Sequence, residues 1–273
     1  MCRHLAYVGA SVTLASLVLE PPHSLLHQSY APADMRGGGT INADGFGAGW
    51  YPEPGGPAAR YRSAQPMWSD ASFAAVAAAT RSGGVLAAAR SATVGMPVTD
   101  TAAAPFAEGR WLFSHNGVVR GWPHSVAPLA QALPVADLLT LDAPTDAALL
   151  WALVRHRLRA GAEPGDALAG VVTEVAAVAP GSRLNLLLTD GTAIWATAWH
   201  HSLCVRTDAH GALVASEPLD AGPGWQEVPD RHLVAAAPGS HRCTPLAPVT
   251  ATTPAATPAP RATAGASTVR GAR

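Results

Sequence analysis

The chain has 273 residues, of which 48% are hydrophobic and 14% charged, and its formal net charge is −1. This composition indicates a folded globular protein, and a charge so close to zero argues against nucleic acid or an anionic membrane as a partner. All 18 basic residues are arginine. This excludes the lysine that forms a Schiff base with pyridoxal phosphate and the lysine of a phosphate-binding P-loop.

Cysteine and histidine spacing gives no sign of a metal site or a disulfide framework. The three cysteines, Cys2, Cys204 and Cys243, form no CxxC pair, and the adjacent His200 and His201 lack a helical partner. No apolar run approaches the roughly 20 residues that span a bilayer, and the first residues lack the pattern of a secretory signal. We therefore expect no metal, no cofactor and no membrane association, and we expect a cytoplasmic location.

The first 120 residues read as short strands separated by helices and loops. LAYVG predicts a short apolar strand, and the following ASLVLEPPHSLLHQSYAP predicts a helix or loop interrupted by Pro21 and Pro22. Further strands are predicted in DGFGAGWY, ARYRS, VLAAARSAT and RWLFSHNGVV, and a helix is predicted in SFAAVAAATR.

The next 120 residues combine two helices with two hairpins. TDAALLWALVRHRLRAGAEP predicts a helix that begins after Thr145 and stops near Gly161, and GDALAGVVTEVAAVAP predicts a second helix. RLNLLLTDGTAIWATAW predicts a hairpin around Asp190-Gly191, and SLCVRTDAHGALVASEP predicts another with a loop at residues 208–211. Strands, then helices, then strands again favour an α+β fold with antiparallel sheets.

The composition changes near residue 246. The remainder consists almost entirely of Ala, Thr, Pro, Gly and Arg and has no acidic residue. Such a segment buries too little apolar area to offset its ordering entropy, so we expect one domain over residues 2–246 and a disordered tail over residues 247–273. A docking arm that uses Arg261, Arg270 and Arg273 is the functional alternative for the tail.

Cys2 follows Met1 directly, which is the first indication of chemistry. Removal of Met1 would leave a free amine, with a pKa of about 7.7–8.0, on the same residue as a thiol with a pKa of roughly 8.5. One residue would then supply both a nucleophile and its general base. The alternative is an inert cysteine, because buried unreactive cysteines are common.

Two neighbouring residues at the end of a predicted strand can donate hydrogen bonds to an anion. The side-chain amide of Asn116 and the backbone N–H of Gly117 suit a developing oxyanion. The alternative is a hairpin turn, for which Asn-Gly is the strongest dipeptide signal.

Three further residues could bind the two ends of an amino acid. Arg90 ends a predicted apolar strand and its guanidinium suits a carboxylate, to which the Thr93 hydroxyl could add a hydrogen bond. Asp146 lies in the first turn of a predicted helix, where it could hold an ammonium group. The alternatives are a surface ion pair for Arg90 and simple helix-dipole stabilisation for Asp146. With Cys2 above an oxyanion site, the set suits a glutamine or γ-glutamyl compound.

The motifs resemble, in order, those of class II glutamine amidotransferases, which are N-terminal-nucleophile hydrolases. The matching segments are MCRHLAYVGA, NADGFGAGW, LAAARSATVGMP, LFSHNGVV and TDAALL, whereas residues 121–144 have no counterpart. The resemblance implies a four-layer αββα sandwich with antiparallel sheets. It also implies roles: nucleophile for Cys2, oxyanion hole for Asn116 and Gly117, and glutamate binding for Arg90, Thr93 and Asp146.

A second set of segments resembles the branch of this family that acts in ergothioneine biosynthesis. These segments include LVLEPPHSLLHQSYAP, PMWSDASF, RLNLLL, VASEPLD and PGWQEVPDRHLV. The resemblance implies hydrolysis of a small-molecule substrate, γ-glutamyl-hercynylcysteine sulfoxide, to glutamate and hercynylcysteine sulfoxide. Because no foldable segment follows residue 246, we expect a stand-alone hydrolase. The alternatives are a general glutaminase or γ-glutamyl hydrolase on the same scaffold, and a non-catalytic γ-glutamyl sensor.

Overall fold

The computed structural model describes residues 2–35 and 41–246, and the predicted tail over residues 247–273 lies outside this range. The strands in the described residues are β1 (Arg3–Thr13), β2 (Phe46–Trp50), β3 (Ala59–Ser63), β4 (Arg81–Ala89), β5 (Phe106–Glu108), β6 (Trp111–Val118), β7 (Arg183–Thr189), β8 (Ile194–Ala198), β9 (Cys204–Asp208), β10 (Gly211–Ala215), β11 (Gln226–Glu227), β12 (His232–Ala237) and β13 (Ser240–Pro245). The α-helices are α1 (Ala15–Val18), α2 (Leu25–Tyr30), α3 (Ala71–Ala79), α4 (Ala127–Ala130), α5 (Val135–Leu139), α6 (Asp146–Arg159) and α7 (Pro164–Val178).

The strands form two antiparallel sheets. The seven-stranded sheet has the order β11-β9-β10-β1-β4-β2-β3, and the six-stranded sheet has the order β13-β12-β8-β7-β6-β5. Every strand pairing among the described residues is antiparallel. This confirms the predicted α+β class, and the hairpins predicted around Asp190-Gly191 and residues 208–211 are β7–β8 and β9–β10.

The two sheets pack face to face, with helices on both outer faces. Leu86 of the seven-stranded sheet and Leu112 and Leu187 of the six-stranded sheet are fully buried in the core between the sheets. A second core, which includes Phe73 of α3, lies on the outer face of the seven-stranded sheet. A third, around Trp151 of α6, lies on the outer face of the six-stranded sheet and also includes α7. The result is the αββα sandwich that the family resemblance implies.

Strand β1 occupies the centre of the seven-stranded sheet, between β10 and β4. The apolar run LAYVG predicts only part of it, because β1 begins at Arg3 and continues to Thr13. Its polar first residues, Arg3 and His4, are almost completely buried. On one side they pair with Ala89 and Ala88 of β4. On the other side the His4 N–H donates to the Ser216 Oγ and the His4 carbonyl oxygen accepts from the backbone N–H of Ser216, so the strand extends beyond its apolar residues.

The predicted start of α6 after Thr145 and its predicted end near Gly161 are confirmed. The Thr145 side chain accepts a hydrogen bond from the backbone N–H of Ala148, and Gly161 has a φ of +85° just beyond the helix end. The segment interrupted by Pro21 and Pro22 forms the two short helices α1 and α2. In the described part of the chain, no helix is both long and apolar enough to cross a bilayer.

Candidate active site

Cys2 lies at the start of β1, where that strand enters the sheet beside the end of β4. The register pairs Arg3 with Ala89, and the Cys2 Sγ lies 3.7 Å from the carbonyl oxygen of Ser91. A cleft opens next to the thiol. Its lining includes five of the six predicted site residues, namely Cys2, Arg90, Thr93, Gly117 and Asp146.

The sixth predicted residue, Asn116, is fully buried next to Gly117 in β6. Its Nδ2 atom donates to the Ser216 Oγ over 3.1 Å. An amide nitrogen carries two hydrogens, so one donor of Asn116 remains after this bond. Asn116 and Gly117 face Asn185 and Leu184 in the strand register, so the alternative interpretation of Asn-Gly as a hairpin turn is wrong.

Gly117 is required by close packing of the backbone rather than by a turn. A Cβ atom at this position would lie 1.9 Å from the carbonyl oxygen of Arg183 and 2.6 Å from the His115 Nε2. Neither contact is tolerable, because real Cβ atoms do not approach other atoms below about 3 Å without movement of the backbone. Glycine therefore allows β6 to keep its register with β7 at the point where the backbone lines the cleft.

Arg90 extends from the end of β4 and is 8% exposed. Its Nη1 atom donates to the carbonyl oxygen of Pro97 over 2.8 Å, and among the described residues no carboxylate forms an ion pair with it. The alternative of a surface ion pair is therefore wrong. The carboxylate of Asp44 accepts a hydrogen bond from the backbone N–H of Ala92 over 2.8 Å, which orders the turn that carries the exposed Thr93. The remaining donors of the guanidinium are available to a carboxylate in the cleft.

Asp146 is the first residue of α6 and connects that helix to β6. Its Oδ2 accepts from the backbone N–H of Val119 over 3.0 Å, and its Oδ1 accepts from the backbone N–H of Ala147 over 2.8 Å. The side chain is almost completely buried yet lines the cleft. Because each carboxylate oxygen has two lone pairs, Asp146 can stabilise the helix start and still accept a hydrogen bond from an ammonium group.

A buried ion-pair network behind Cys2 was not predicted from the sequence. Arg3 donates to the carbonyl oxygen of Cys2 over 3.1 Å and lies 3.0 Å from the Glu217 carboxylate. The other Glu217 oxygen lies 2.5 Å from the His23 Nε2 and accepts from the backbone N–H of Ala33. Burial raises the pKa of Glu217, but these hydrogen bonds and Arg3 outweigh it and lower the pKa overall. His23 and Glu217 lie in LVLEPPHSLLHQSYAP and VASEPLD, two of the segments that resemble the ergothioneine branch of the family, but the resemblance assigns neither residue a role.

Ser216 and His4 connect this network to Asn116, the predicted oxyanion donor. The backbone N–H of His4 donates to the Ser216 Oγ over 3.0 Å, and the His4 Nδ1 lies 3.2 Å from the Ser114 Oγ. Burial and, to a smaller extent, the neighbouring His201, His115 and Arg3 together lower the pKa of His4 to about 3. His4 is therefore uncharged near neutral pH and joins the two sheets as a neutral hydrogen-bonding group.

Within the described ranges, no three side chains of His, Cys, Asp or Glu come together as a metal site. The geometry thus places a thiol, the Gly117 backbone, an arginine and a carboxylate around one cleft, with the Asn116 amide buried next to Gly117. This arrangement suits nucleophilic attack on a carbonyl whose substrate carries a zwitterionic amino-acid end.

Comparison with known proteins identifies close relatives. The chain is 47% identical over 234 residues to a protein of Mycolicibacterium smegmatis named gamma-glutamyl-hercynylcysteine sulfoxide hydrolase, and the match covers 86% of this chain and 95% of the relative. A protein of the same name from Mycobacterium tuberculosis strain H37Rv is 45% identical over 235 residues, which cover 86% of this chain and 92% of the relative.

Fold similarity and a family match agree with these relatives. A glutamine aminotransferase class-II domain protein from Silicibacter pomeroyi superposes with a TM-score of 0.65 at 24% identity, over 90% of this chain and all of that one. Glutamine phosphoribosylpyrophosphate amidotransferase from B. subtilis superposes with a TM-score of 0.63 at 11% identity, over 90% of this chain and 49% of that one. Residues 14–211 match the family described as class-II glutamine amidotransferases. The chain belongs to the class II glutamine amidotransferase family.

Proposed function

We propose that this protein hydrolyses the γ-glutamyl amide bond of γ-glutamyl-hercynylcysteine sulfoxide and releases glutamate and hercynylcysteine sulfoxide. The observation that carries this proposal is the 47% identity to a hydrolase of that name across 95% of its length. The cleft beside Cys2 supports it, because the cleft is lined by groups that suit the glutamyl half of such a substrate.

In the proposed reaction Cys2 is the N-terminal residue after removal of Met1. Its α-amine takes the thiol proton, and the sulfur forms a bond to the γ-carbonyl carbon. The oxyanion accepts hydrogen bonds from Asn116 and from the backbone N–H of Gly117. When the tetrahedral intermediate collapses, the C–N bond breaks and the ammonium returns its proton to the leaving nitrogen.

The second half of the reaction releases glutamate. The γ-glutamyl group remains on Cys2 as a thioester, and the amine removes a proton from an attacking water. Collapse of the second tetrahedral intermediate breaks the C–S bond and regenerates the thiol. Throughout both steps Arg90 and Thr93 hold the α-carboxylate of the glutamyl group and Asp146 holds its α-ammonium.

The first test is replacement of the thiol. Cys2→Ala removes the nucleophile, so we expect glutamate release from γ-glutamyl-hercynylcysteine sulfoxide to become undetectable while the circular dichroism spectrum stays unchanged. The matched control is Cys243→Ala, which removes an exposed thiol on β13 and should retain full activity. An active Cys2→Ala enzyme would refute the proposed nucleophile.

The same assay separates the proposed substrate from the alternatives. Glutamate release is measured in parallel with γ-glutamyl-hercynylcysteine sulfoxide, glutamine and glutathione, and intact mass establishes whether Met1 has been removed. We expect the highest kcat/KM with the sulfoxide. A preference for glutamine would favour the general glutaminase, and binding of γ-glutamyl compounds without turnover would favour the sensor.

A further inference from the structure

Arg183 is the first residue of β7 and lies at the end of the six-stranded sheet that faces Cys2. Side chains alternate along a strand, so Arg183 shares a face with Asn185 and Leu187. Leu187 is buried between the two sheets, so this face is directed toward the sheet that carries Cys2. The register pairs Val118 with Arg183 and Asn116 with Asn185. In the strand register Arg183 is therefore one residue pair beyond Gly117, toward the end of the sheet.

A second arginine lies beside it. The backbone N–H of Arg120, in the loop after β6, donates to the Ser182 Oγ over 3.0 Å, which holds this loop against the start of β7. Burial and the charge of Arg120 lower the pKa of Arg183, whereas the nearby Cys2 raises it. Both guanidinium groups are thus close enough to affect one another, and Arg183 is close enough to affect the thiol.

Neither arginine forms an ion pair among the residues that the structure describes. All 19 acidic residues of the sequence lie in the described ranges, and no ion pair found there involves Arg120 or Arg183. The Nε atom of Arg183 is also buried without a hydrogen-bond partner in this part of the chain. Burying part of a guanidinium group without a partner costs free energy unless an anion binds it, whereas Arg120 is exposed and adds positive charge at the edge of the same region. The arrangement is that of an anion site at the start of β7, next to the Gly117 backbone that lines the cleft.

We propose that Arg183, with the help of Arg120, binds the α-carboxylate of the amino acid that leaves when the γ-glutamyl amide is cleaved. The inference rests on the proposed function, because the scissile nitrogen of γ-glutamyl-hercynylcysteine sulfoxide belongs to a cysteine whose carboxylate is one carbon away. Glutamine has no group at that place. Arg183 is thus a specificity determinant that selects γ-glutamyl amino acids over simple γ-glutamyl amides.

Two small substrates isolate this carboxylate. γ-Glutamylglycine and γ-glutamylethylamide both continue with a CH₂ group beyond the amide nitrogen, but only the first carries a carboxylate on that carbon. A hydrogen-bonded charge is lost when the carboxylate is absent, so we expect the wild-type kcat/KM for γ-glutamylglycine to exceed that for γ-glutamylethylamide by roughly 10- to 100-fold. Glutamate release gives both values.

The test variant is Arg183→Met, which keeps the length of the side chain and removes the charge. We expect the ratio of the two kcat/KM values to fall by roughly 10- to 100-fold, toward one. Arg183→Lys should restore part of the ratio, because lysine keeps the charge but loses the planar fork. Arg242→Met, at an exposed position on β13, is the matched control and should leave the ratio unchanged.

The outcomes separate this inference from the proposed function. If Arg183→Met lowers kcat/KM for both substrates equally, Arg183 acts on the thiol or the fold and the inference is wrong. If the wild type cleaves both substrates equally well, the inference is also wrong but the γ-glutamyl hydrolase stands. If the wild type releases no glutamate from any γ-glutamyl compound, both are wrong.

Discussion

At the scale of single residues, the two proposed oxyanion donors are held in place before a substrate arrives. The Asn116 amide donates a hydrogen bond to the Ser216 hydroxyl. The same hydroxyl accepts a second hydrogen bond, from the backbone N–H of His4, which holds it in place. Gly117 is fixed by its packing against the carbonyl of Arg183. Donors that are already oriented need no reorganisation as an oxyanion forms, which is the main source of their effect on rate.

Asn116→Ala tests this effect directly. The variant removes one proposed oxyanion donor, so we expect kcat for the γ-glutamyl substrate to fall about 10²–10³-fold with a smaller change in KM. Steady-state kinetics measure both constants. Ser216→Ala, which loosens the amide without removing it, should cause a smaller loss of kcat. A change in KM alone would show that Asn116 binds the ground state rather than the oxyanion.

At the scale of elements, the start of α6 joins the fold to the site. Thr145 caps the helix by accepting a 3.3 Å hydrogen bond from the backbone N–H of Ala148. The carboxylate of the next residue, Asp146, accepts a hydrogen bond from the backbone N–H of Val119, directly after β6. Both Thr145 and Asp146 line the cleft. Any change that frays the first turn of α6 therefore displaces the proposed ammonium-binding carboxylate.

Thr145→Ala should reveal this connection. Loss of the cap should reduce the free energy of unfolding by about 1 kcal/mol, as at other helix starts. It should also raise KM for γ-glutamyl substrates, because Asp146 is held less firmly. Urea unfolding and steady-state kinetics measure the two effects. Thr140→Ala, an exposed position at the end of α5, is the control and should leave KM unchanged. A destabilised Thr145→Ala enzyme with normal KM would contradict the connection.

At the scale of the whole molecule, polar groups are buried near the ends of both sheets. His4 bridges the seven-stranded and six-stranded sheets through Ser114, and Glu217 joins Arg3 to His23 behind the thiol. Both titrating groups have a folded-state pKa below the ordinary value. Each therefore binds a proton more readily in the unfolded chain, and acid favours unfolding.

The resulting pH dependence has a defined direction. The unfolded pKa of His4 is 6.5 and the folded value is about 3, so its contribution is fully present above pH 6.5 and is lost as the pH falls. Below pH 6.5 the free energy of unfolding should decrease by up to ~1.4 kcal/mol per pH unit on account of His4. Glu217 adds a loss in the same direction at lower pH. Urea unfolding at a series of values from about pH 7.5 to about pH 5, which spans the ordinary histidine pKa of about 6.5, measures how the free energy of unfolding changes with pH.

His4→Asn tests whether His4 causes this dependence of the free energy of unfolding on pH. Asparagine keeps a polar group near the position of Nδ1 but does not titrate, so the pH dependence just below pH 6.5 should flatten even if the variant is less stable overall. An unchanged slope would mean that His4 does not account for the acid sensitivity.

The sequence correctly predicted the helices and strands that depend on local signals, namely a helix cap, an apolar periodicity or a turn. Helices α3, α6 and α7 follow from alanine content, apolar periodicity and the Thr145 cap, and the β7–β8 hairpin follows from Asp190-Gly191. Strands β5, β12 and β13 and the short helices α4 and α5 were not predicted. These segments are short, and neighbouring strands and the core stabilise them more than their own residues do.

Local patterns in the sequence were enough to predict the class of fold, and the ordered motifs pointed to the family, because helix caps, turn formers and short motifs are properties of a few adjacent residues. The roles of the six candidate site residues stay predictions. The tertiary structure was needed to show that Asn116-Gly117 continues a strand and that Arg3 and Glu217 form a buried pair behind Cys2. It was also needed to show that Arg183 forms no ion pair among the described residues. These features join residues up to about 214 positions apart, as in the pairing of Arg3 with Glu217. Their energies depend on burial and on charges brought together by the two sheets, which no local pattern encodes.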